Sequence, residues 1–321
     1  MRVNVSTEHY NSAFHHVETQ VLAPGMSDIG ASAVPEHTED MSELTAKSVL
    51  QVFSTAELRN VLQPWQPGRQ RAGRGSGFVV TLDGTHYILT NHHVVDQTSV
   101  LEVTISSEGK RRFPVKVVAD NPEGDLALLS VPEELLEYVE AVELGNSDLA
   151  RSGTKVIAAG YPLGQEHQKL TGGLVSGHEQ MGSSEMIQTD AAINHGNSGG
   201  ALFERATMKV LGMNSSIIDP KVASNVGYAI PSNTIRAFLT NFQTIYAKTK
   251  KLPVFVTKPV VGLFCQKSSA QQTEFLDNPK EGGYYINYVL PGSLLHKGGE
   301  GVRKGDQIFK INGHKVSMEG E

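Results

Sequence analysis

Between Ser48 and Ile230 the chain is written as short apolar runs, each bounded by Gly, Asn, Asp or Pro, and this cadence restricts the fold. One set comprises Ser48–Phe53, Gly77–Leu82, Tyr87–Thr90, Val100–Ile105, Val115–Asp120 and Leu126–Val131. A second comprises Lys155–Tyr161, Lys169–His178, Glu185–Thr189, Ala201–Phe203, Val210–Ser215 and Gly227–Ile230. Strands this short, about ten residues apart with turn residues between them, predict an antiparallel barrel or sandwich. Two sets of six predict an all-β architecture of two six-stranded antiparallel barrels, joined near Glu133–Gly145. A helix follows, because Ile235, Phe238, Leu239, Phe242 and Ile245 fall at helical spacing, with Ser232 or Asn233 placed to cap it.

The flanks read differently, which predicts three parts: 1–46, 47–250 and 251–321. The first is mixed and polar, with His15-His16 and an acidic stretch from Glu36 to Glu43, and reads as a flexible extension. It holds no apolar run long enough for a signal peptide or membrane span. Lys248 to Pro259 reads as a linker, and Val260–Gln266, Gly283–Val289 and Gln307–Ile311 as strands of a smaller unit with a Gly-rich loop at Gly298–Gly301.

Charge narrows the partners. Lys and Arg number 28 against 34 Asp and Glu, a net −6, which gives no support for a nucleic-acid partner. Lys110-Arg111-Arg112 follows Glu108-Gly109 and reads as the solvated bend of a hairpin. Cys265 is the single cysteine, so no intrachain disulfide can form; it reads as a buried or half-buried structural thiol. With one cysteine, no disulfide and no leader segment apparent, a cytoplasmic or organellar location is expected.

Three segments carry chemistry in combination. Ile88-Leu89-Thr90-Asn91-His92-His93 is an apolar strand running into a histidine. Glu123-Gly124-Asp125-Leu126 opens the next apolar strand on an aspartate, and Gly196-Asn197-Ser198-Gly199-Gly200 sets a serine among glycines. A serine hydroxyl is too weak an acid to attack a peptide unaided. A neutral imidazole must take its proton, and an ionised carboxylate must hold that imidazole in the right tautomer. His93, Asp125 and Ser198, in that chain order, can supply the three roles. Backbone N–H groups around Gly196, Asn197 and Ser198, chiefly those of Gly196 and Ser198, can form an oxyanion hole, each donor being worth about 3 kcal/mol. No His, Cys, Asp and Glu cluster has zinc-ligand spacing, and no cofactor is expected.

The chain resembles the Deg/HtrA family of serine proteases through Thr90-Asn91-His92-His93-Val94, Asp125-Leu126-Ala127-Leu128, Gly196–Gly200 and Val226-Gly227-Tyr228-Ala229-Ile230-Pro231-Ser232-Asn233. The resemblance implies a two-barrel, trypsin-like protease at 47–250 followed by a PDZ-like domain at 251–321, of which the second helix and last strand are missing before Glu321. It implies ATP- and metal-independent cleavage of unfolded or damaged proteins, and assembly into a trimer or multiples of one. Secreted digestive proteases of this fold usually carry several disulfides; this chain relies on its core alone. Val261, Gly262 and Leu263 are similar to a PDZ carboxylate loop, which implies capture of C-terminal peptides by strand addition.

Two positions depart from the family pattern. His195 stands where proline is frequent, which frees φ and adds an N–H, and His92 reads as a solvent-facing neighbour of His93. The S1 pocket is expected from Ile193 and, by resemblance, Ile217 and Ile218. Ala192, six before Ser198, offers no carboxylate, so small or medium aliphatic P1 residues are expected over Lys or Arg. The competing reading is a chaperone-like or PDZ-type binding protein whose active site is switched off.

Overall fold

The computed structural model describes residues 37–58, 62–63, 65–66, 68–181, 184–215, 226–257, 262–277, 283–293, 296, 302–311 and 314–315. The chain divides into two compact units, Met1–Glu43 and Leu44–Glu321. Helix α1 runs His37–Ser48, where a polar extension was expected to reach residue 46; Lys47 in its last turn suits the negative end of the helix dipole.

In the larger unit, seven strands come first: β1 (Val49–Leu58), β2 (Arg69–Leu82), β3 (Thr85–Thr90), β4 (Thr98–Thr104), β5 (Phe113–Pro114), β6 (Val117–Asn121) and β7 (Leu126–Ser130). A one-turn helix, α2 (His92–Val95), interrupts them after β3. A second set follows: β8 (Lys155–Gly160), β9 (Lys169–Met181), β10 (Ser184–Thr189), β11 (Ala201–Glu204), β12 (Val210–Ser215) and β13 (Gly227–Pro231). Helix α3 spans Ser232–Thr249, and a short strand β14, Val254–Phe255, comes after it.

The second set closes into a six-stranded barrel, but the first does not. It is an eight-stranded sheet in the order β14-β6-β7-β3-β2-β1-β4-β5, so the expectation of two six-stranded barrels is corrected. Two local causes account for the difference. Strand β5 is two residues long and contains Pro114, which has no N–H to extend a ladder. The outer edge of β6 is occupied by β14, pairing parallel at Val254↔Ala119 and Phe255↔Asp120.

Each sheet has its own core. Leu50, Val52, Val79, Ile88, Val103 and Leu129 fill the first, and Val156, Ala158, Val175, Ile187, Leu202 and Leu211 the second. Burying each larger aliphatic side chain contributes roughly 1.5–3 kcal/mol. Helix α3 buries Ile235, Phe238, Leu239 and Phe242, as its spacing predicts. Its N-cap is Pro231, without a side-chain cap bond. The expected cap residues are used elsewhere: Ser232 Oγ donates to the Gly145 carbonyl at 2.7 Å, and Asn233 Nδ2 donates to Asn146 and Asp148.

Farther along, β15 (Leu263–Lys267), β16 (Tyr284–Val289) and β17 (Gln307–Ile308) form a three-stranded sheet. Strands β18 (Lys310–Ile311) and β19 (His314–Lys315) pair separately. Helix α4 (Ala270–Phe275) was not expected, although its cap is written in the sequence: Ser269 Oγ accepts the Gln272 N–H at 3.1 Å. Cys265, expected to be at least half-buried, is exposed on β15, where its side chain projects from a three-stranded sheet.

Candidate active site

Strand β3 carries the chain from the core of the first sheet to His93. Thr90 Oγ1 donates to the Ser76 carbonyl at 2.7 Å, and Asn91 Nδ2 to the Asp125 carbonyl at 3.0 Å, fixing both ends of the turn. The single turn of α2 then buries Val94 and Val95 and leaves His93 half-exposed.

Asp125 opens β7 with φ +52, a left-handed backbone that aspartate tolerates better than most residues. Its Oδ1 accepts the His93 backbone N–H at 3.0 Å, and the His93 Nδ1 lies 2.9 Å from both carboxylate oxygens. An ionised carboxylate can only accept, so Nδ1 carries the proton and Nε2 is left as the basic nitrogen. Ser215 Oγ, from the end of β12, donates to Oδ2 at 3.4 Å. The carboxylate is therefore largely buried and hydrogen-bonded, as a triad aspartate requires.

Ser198 lies in the connection from β10 to β11, where the backbone is crowded. Gly196 has φ +98, and a Cβ there would lie 2.4 Å from the Tyr161 carbonyl oxygen. Gly199 has φ +85, with the Ser76 carbonyl oxygen 2.1 Å from its notional Cβ. Only glycine fits either place. The Asn197 N–H is committed to the Asn194 carbonyl at 2.9 Å, so it faces inward. Among the three residues expected to form an oxyanion hole, this leaves Gly196 and Ser198 as the candidate donors. Ser198, His93, His195 and Gly196 line one cleft of about 340 Å³.

Ser76, overlooked in the sequence, ties this loop to the first sheet. Its N–H donates to the Ser198 carbonyl at 2.8 Å, and its hydroxyl donates to the Gly196 carbonyl at 2.7 Å while accepting the Tyr161 N–H at 2.9 Å. In the sequence it is one serine between Gly75 and Gly77, with nothing to mark which way its hydroxyl faces. His92 is also placed differently from the expectation. It is only one-fifth exposed, with Nδ1 2.7 Å from Asp120 Oδ1 and Nε2 3.8 Å from Asp96 Oδ1, so a carboxylate on β6 draws it inward.

Ile193 packs partly buried against the second core, beside Gly227. Ile217 and Ile218 lie outside the described residues. In the smaller sheet, Gly262 has φ +75 and its carbonyl accepts the Leu290 N–H at 2.7 Å, while Leu263 pairs with Val289. Val261 lies outside the described residues. Among the described residues, no three His, Cys, Asp or Glu side chains converge as a metal site would need.

The eight-stranded sheet and the closed six-stranded barrel bring His93 and Ser198 to one cleft, with Asp125 on the His93 ring. Residues 75–213 match the trypsin-like peptidase domain. Over 99% of its length the chain is 34% identical to a probable periplasmic serine endoprotease DegP-like of Marinomonas sp. (strain MWYL1), covering 61% of that relative. It is 32% identical to the periplasmic serine endoprotease DegP of Escherichia coli (strain K12), over 76% of this chain and 49% of that one. A solved HtrA-type protease AlgW with tripeptide superposes with a TM-score of 0.69 at 27% identity, over 88% of this chain and 85% of that one. The chain carries a trypsin-like peptidase domain, and the relatives and solved structures it matches are Deg/HtrA-type serine proteases. It spans about half to three-fifths of the length of these curated relatives.

The relatives also correct the expected compartment. They are named periplasmic, which overturns the cytoplasmic or organellar expectation. A single cysteine was a poor guide, because a core that needs no disulfide serves in an oxidising compartment as well as in a reducing one.

Proposed function

We propose that this chain is a periplasmic serine endopeptidase that cuts unfolded or damaged proteins through an acyl-enzyme. The observation that carries the reading is the doubly held His93: its ring Nδ1 and its backbone N–H both meet the Asp125 carboxylate, at 2.9 and 3.0 Å. That grip presents Nε2 as the base toward the cleft shared with Ser198. Nε2 takes the Ser198 proton as Oγ attacks the substrate carbonyl, and returns it to the leaving amine. The Gly196 and Ser198 N–H groups receive the developing oxyanion.

Residues 47–250 form the protease domain of this proposal, with 1–46 as an extension and 251–321 as a PDZ-like unit. Gly262 and Leu263, with Val261, hold the carboxylate of C-terminal peptides. Ile193, with Ile217 and Ile218, forms an S1 pocket for small or medium aliphatic residues, and the active species is a trimer or a multiple of one.

Casein digestion by the purified protein beside Ser198→Ala tests the reading. The variant should lose several orders of magnitude in turnover while keeping its fold, since a triad acts as a unit. Cuts mapped by mass spectrometry should follow Val, Ile, Ala or Leu. Undiminished proteolysis by Ser198→Ala would rule the mechanism out, and a majority of cuts after Lys or Arg would rule out the pocket.

A further inference from the structure

We infer that the cleft beside His93 and Ser198 selects acidic side chains in the substrate segment just C-terminal to the cut bond, through Arg71 and Arg74. This rests on the endopeptidase reading above and adds to it a substrate class.

The walls of the cleft show which half of a substrate it takes. Besides the reacting residues it is bounded by the β1–β2 ladder, including Ser54, Arg71, Gly73 and Arg74, and by Asp96 and Gln97 after α2. No residue of strands β8 to β13 lines it. Ile193, the described residue expected in the acyl-side pocket, packs instead against the second barrel, beside Gly227. In the acylation step the Ser198 Oγ–carbonyl bond forms, the peptide C–N bond breaks, and the proton held on His93 Nε2 passes to the departing nitrogen. The departing segment therefore leaves past His93, along the wall made by β1 and β2.

That wall is cationic. Arg71 and Arg74 are both exposed on β2, and neither forms an ion pair with a carboxylate among the described residues. Arg74 is held rather than loose. Its Nη1 donates to the Gly164 carbonyl at 2.6 Å, and its guanidinium carbon lies 5.5 Å from the Phe53 ring centroid. Gly164 has φ +67, and a Cβ there would meet Arg74 Cδ at 2.6 Å, so the loop leaves room for this side chain. The single acid in the lining, Asp96, lies with its Oδ1 3.8 Å from His92 Nε2. A guanidinium fork offers several N–H donors to a carboxylate, and a substrate lysine would meet only like charge.

An exposed ion pair shifts an equilibrium by up to about fivefold. Two arginines that attract Glu and repel Lys should separate the two by about tenfold at low salt, and salt should narrow the gap. The test uses quenched-fluorescence peptides built around one bond that the enzyme cuts in casein. They carry Glu, Gln or Lys in each of the first three positions after that bond in turn, and all end in an amide so that a terminal carboxylate cannot contribute. In at least one of the three positions kcat/KM should fall in the order Glu, Gln, Lys, and Arg71→Glu should invert that order. In parallel, fluorescein-labelled Glu-rich and Lys-rich peptides are titrated against Ser198→Ala with and without Arg71→Glu, read by anisotropy. Preferential binding of the Glu-rich peptide, abolished by Arg71→Glu, supports the inference even if the native enzyme cuts no peptide and the endopeptidase reading fails. Rates equal within twofold at all three positions, or binding indifferent to Arg71→Glu, would overturn it.

Discussion

In the second barrel every strand from β8 to β13 has a hydrogen-bonded neighbour on each side, whereas the first sheet ends on β5 at one side and on β14 at the other. The two halves contribute differently to the site. The open sheet carries His93 and Asp125 on the ends of β3 and β7, and the closed barrel carries Ser198 on a loop of tightly packed glycines. A closed barrel exposes no edge. An open one needs its edge covered, and here a segment from beyond α3 does so, with the Val256 N–H adding a bond to the Asp120 carbonyl at 2.8 Å. The His93 side of the site is thus joined to downstream chain, while the Ser198 loop is braced by Ser76 of the first sheet.

The sharpest way to break this comparison is a methyl group in the nucleophile loop. Gly199→Ala puts a Cβ 2.1 Å from the Ser76 carbonyl at a φ of +85. Strain of this kind costs about 1–3 kcal/mol before any displacement, and the loop must move to relieve it. We expect kcat/KM to fall at least a hundredfold, with clear destabilisation in urea. Gly153→Ala is the control: its φ is +90, but nothing lies within 4 Å, so it should cost about 1 kcal/mol and leave activity alone. Equal effects of the two would show that the loop is not braced as described.

Next in size is Ser76→Ala, which removes the brace itself. The Gly196 carbonyl loses its donor and the Tyr161 N–H its acceptor, and each orphaned buried group costs about 1–3 kcal/mol. The loss should appear mainly in kcat, about ten- to a hundredfold, because the loop that would receive the oxyanion is displaced more than the cleft walls. A change confined to KM would argue that Ser76 is only packing.

These two positions also mark how far the sequence could be read. The strands were legible because apolar runs and turn residues alternate. The three catalytic candidates were legible because each sits where such a run begins or ends. Ser76 was not, since one buried serine among glycines looks the same whether its hydroxyl faces a core or a loop. Long-range pairing decides such cases: β14 looked like linker because Val254-Phe255 is too short to signal a strand by itself. His92 was misplaced for the same reason, as Asp120 lies 28 residues away in sequence.

The edge strand offers a smaller test. Val254 is buried where β14 covers β6, and Val254→Ala removes about 2 kcal/mol of apolar burial. Because Asp120 joins β14 through its carbonyl and His92 through its carboxylate, the effect should reach the catalytic turn. We expect a few-fold loss of kcat beside the lowered unfolding midpoint. The same truncation at Val156 in the closed barrel should lower the midpoint without that loss of kcat. Equal activity losses at the two sites would remove the distinction between base side and nucleophile side.

The smallest expected effect concerns the seam between the halves. Tyr161 leaves β8 fully buried, and its hydroxyl lies 2.9 Å from Ser106 Oγ and donates to the Val49 carbonyl at 3.4 Å, both in the first half. Tyr161→Phe should cost about 1 kcal/mol at neutral pH, the usual net worth of such a bond. Burial raises the pKa of this phenol, and the Ser106 hydrogen bond offsets only part of that. With the folded value above the unfolded one, both states are protonated below about pH 10, and the phenol adds no pH dependence there. Above that pH the unfolded chain gives up its proton while the folded chain still holds it, so stability falls as pH rises. Tyr161→Phe lacks this linkage. Urea midpoints measured from neutral to alkaline pH should therefore show the variant below the parent at first and the gap closing above about pH 10. A constant gap across the range would mean that the hydroxyl is solvated and the seam is not sealed at this residue.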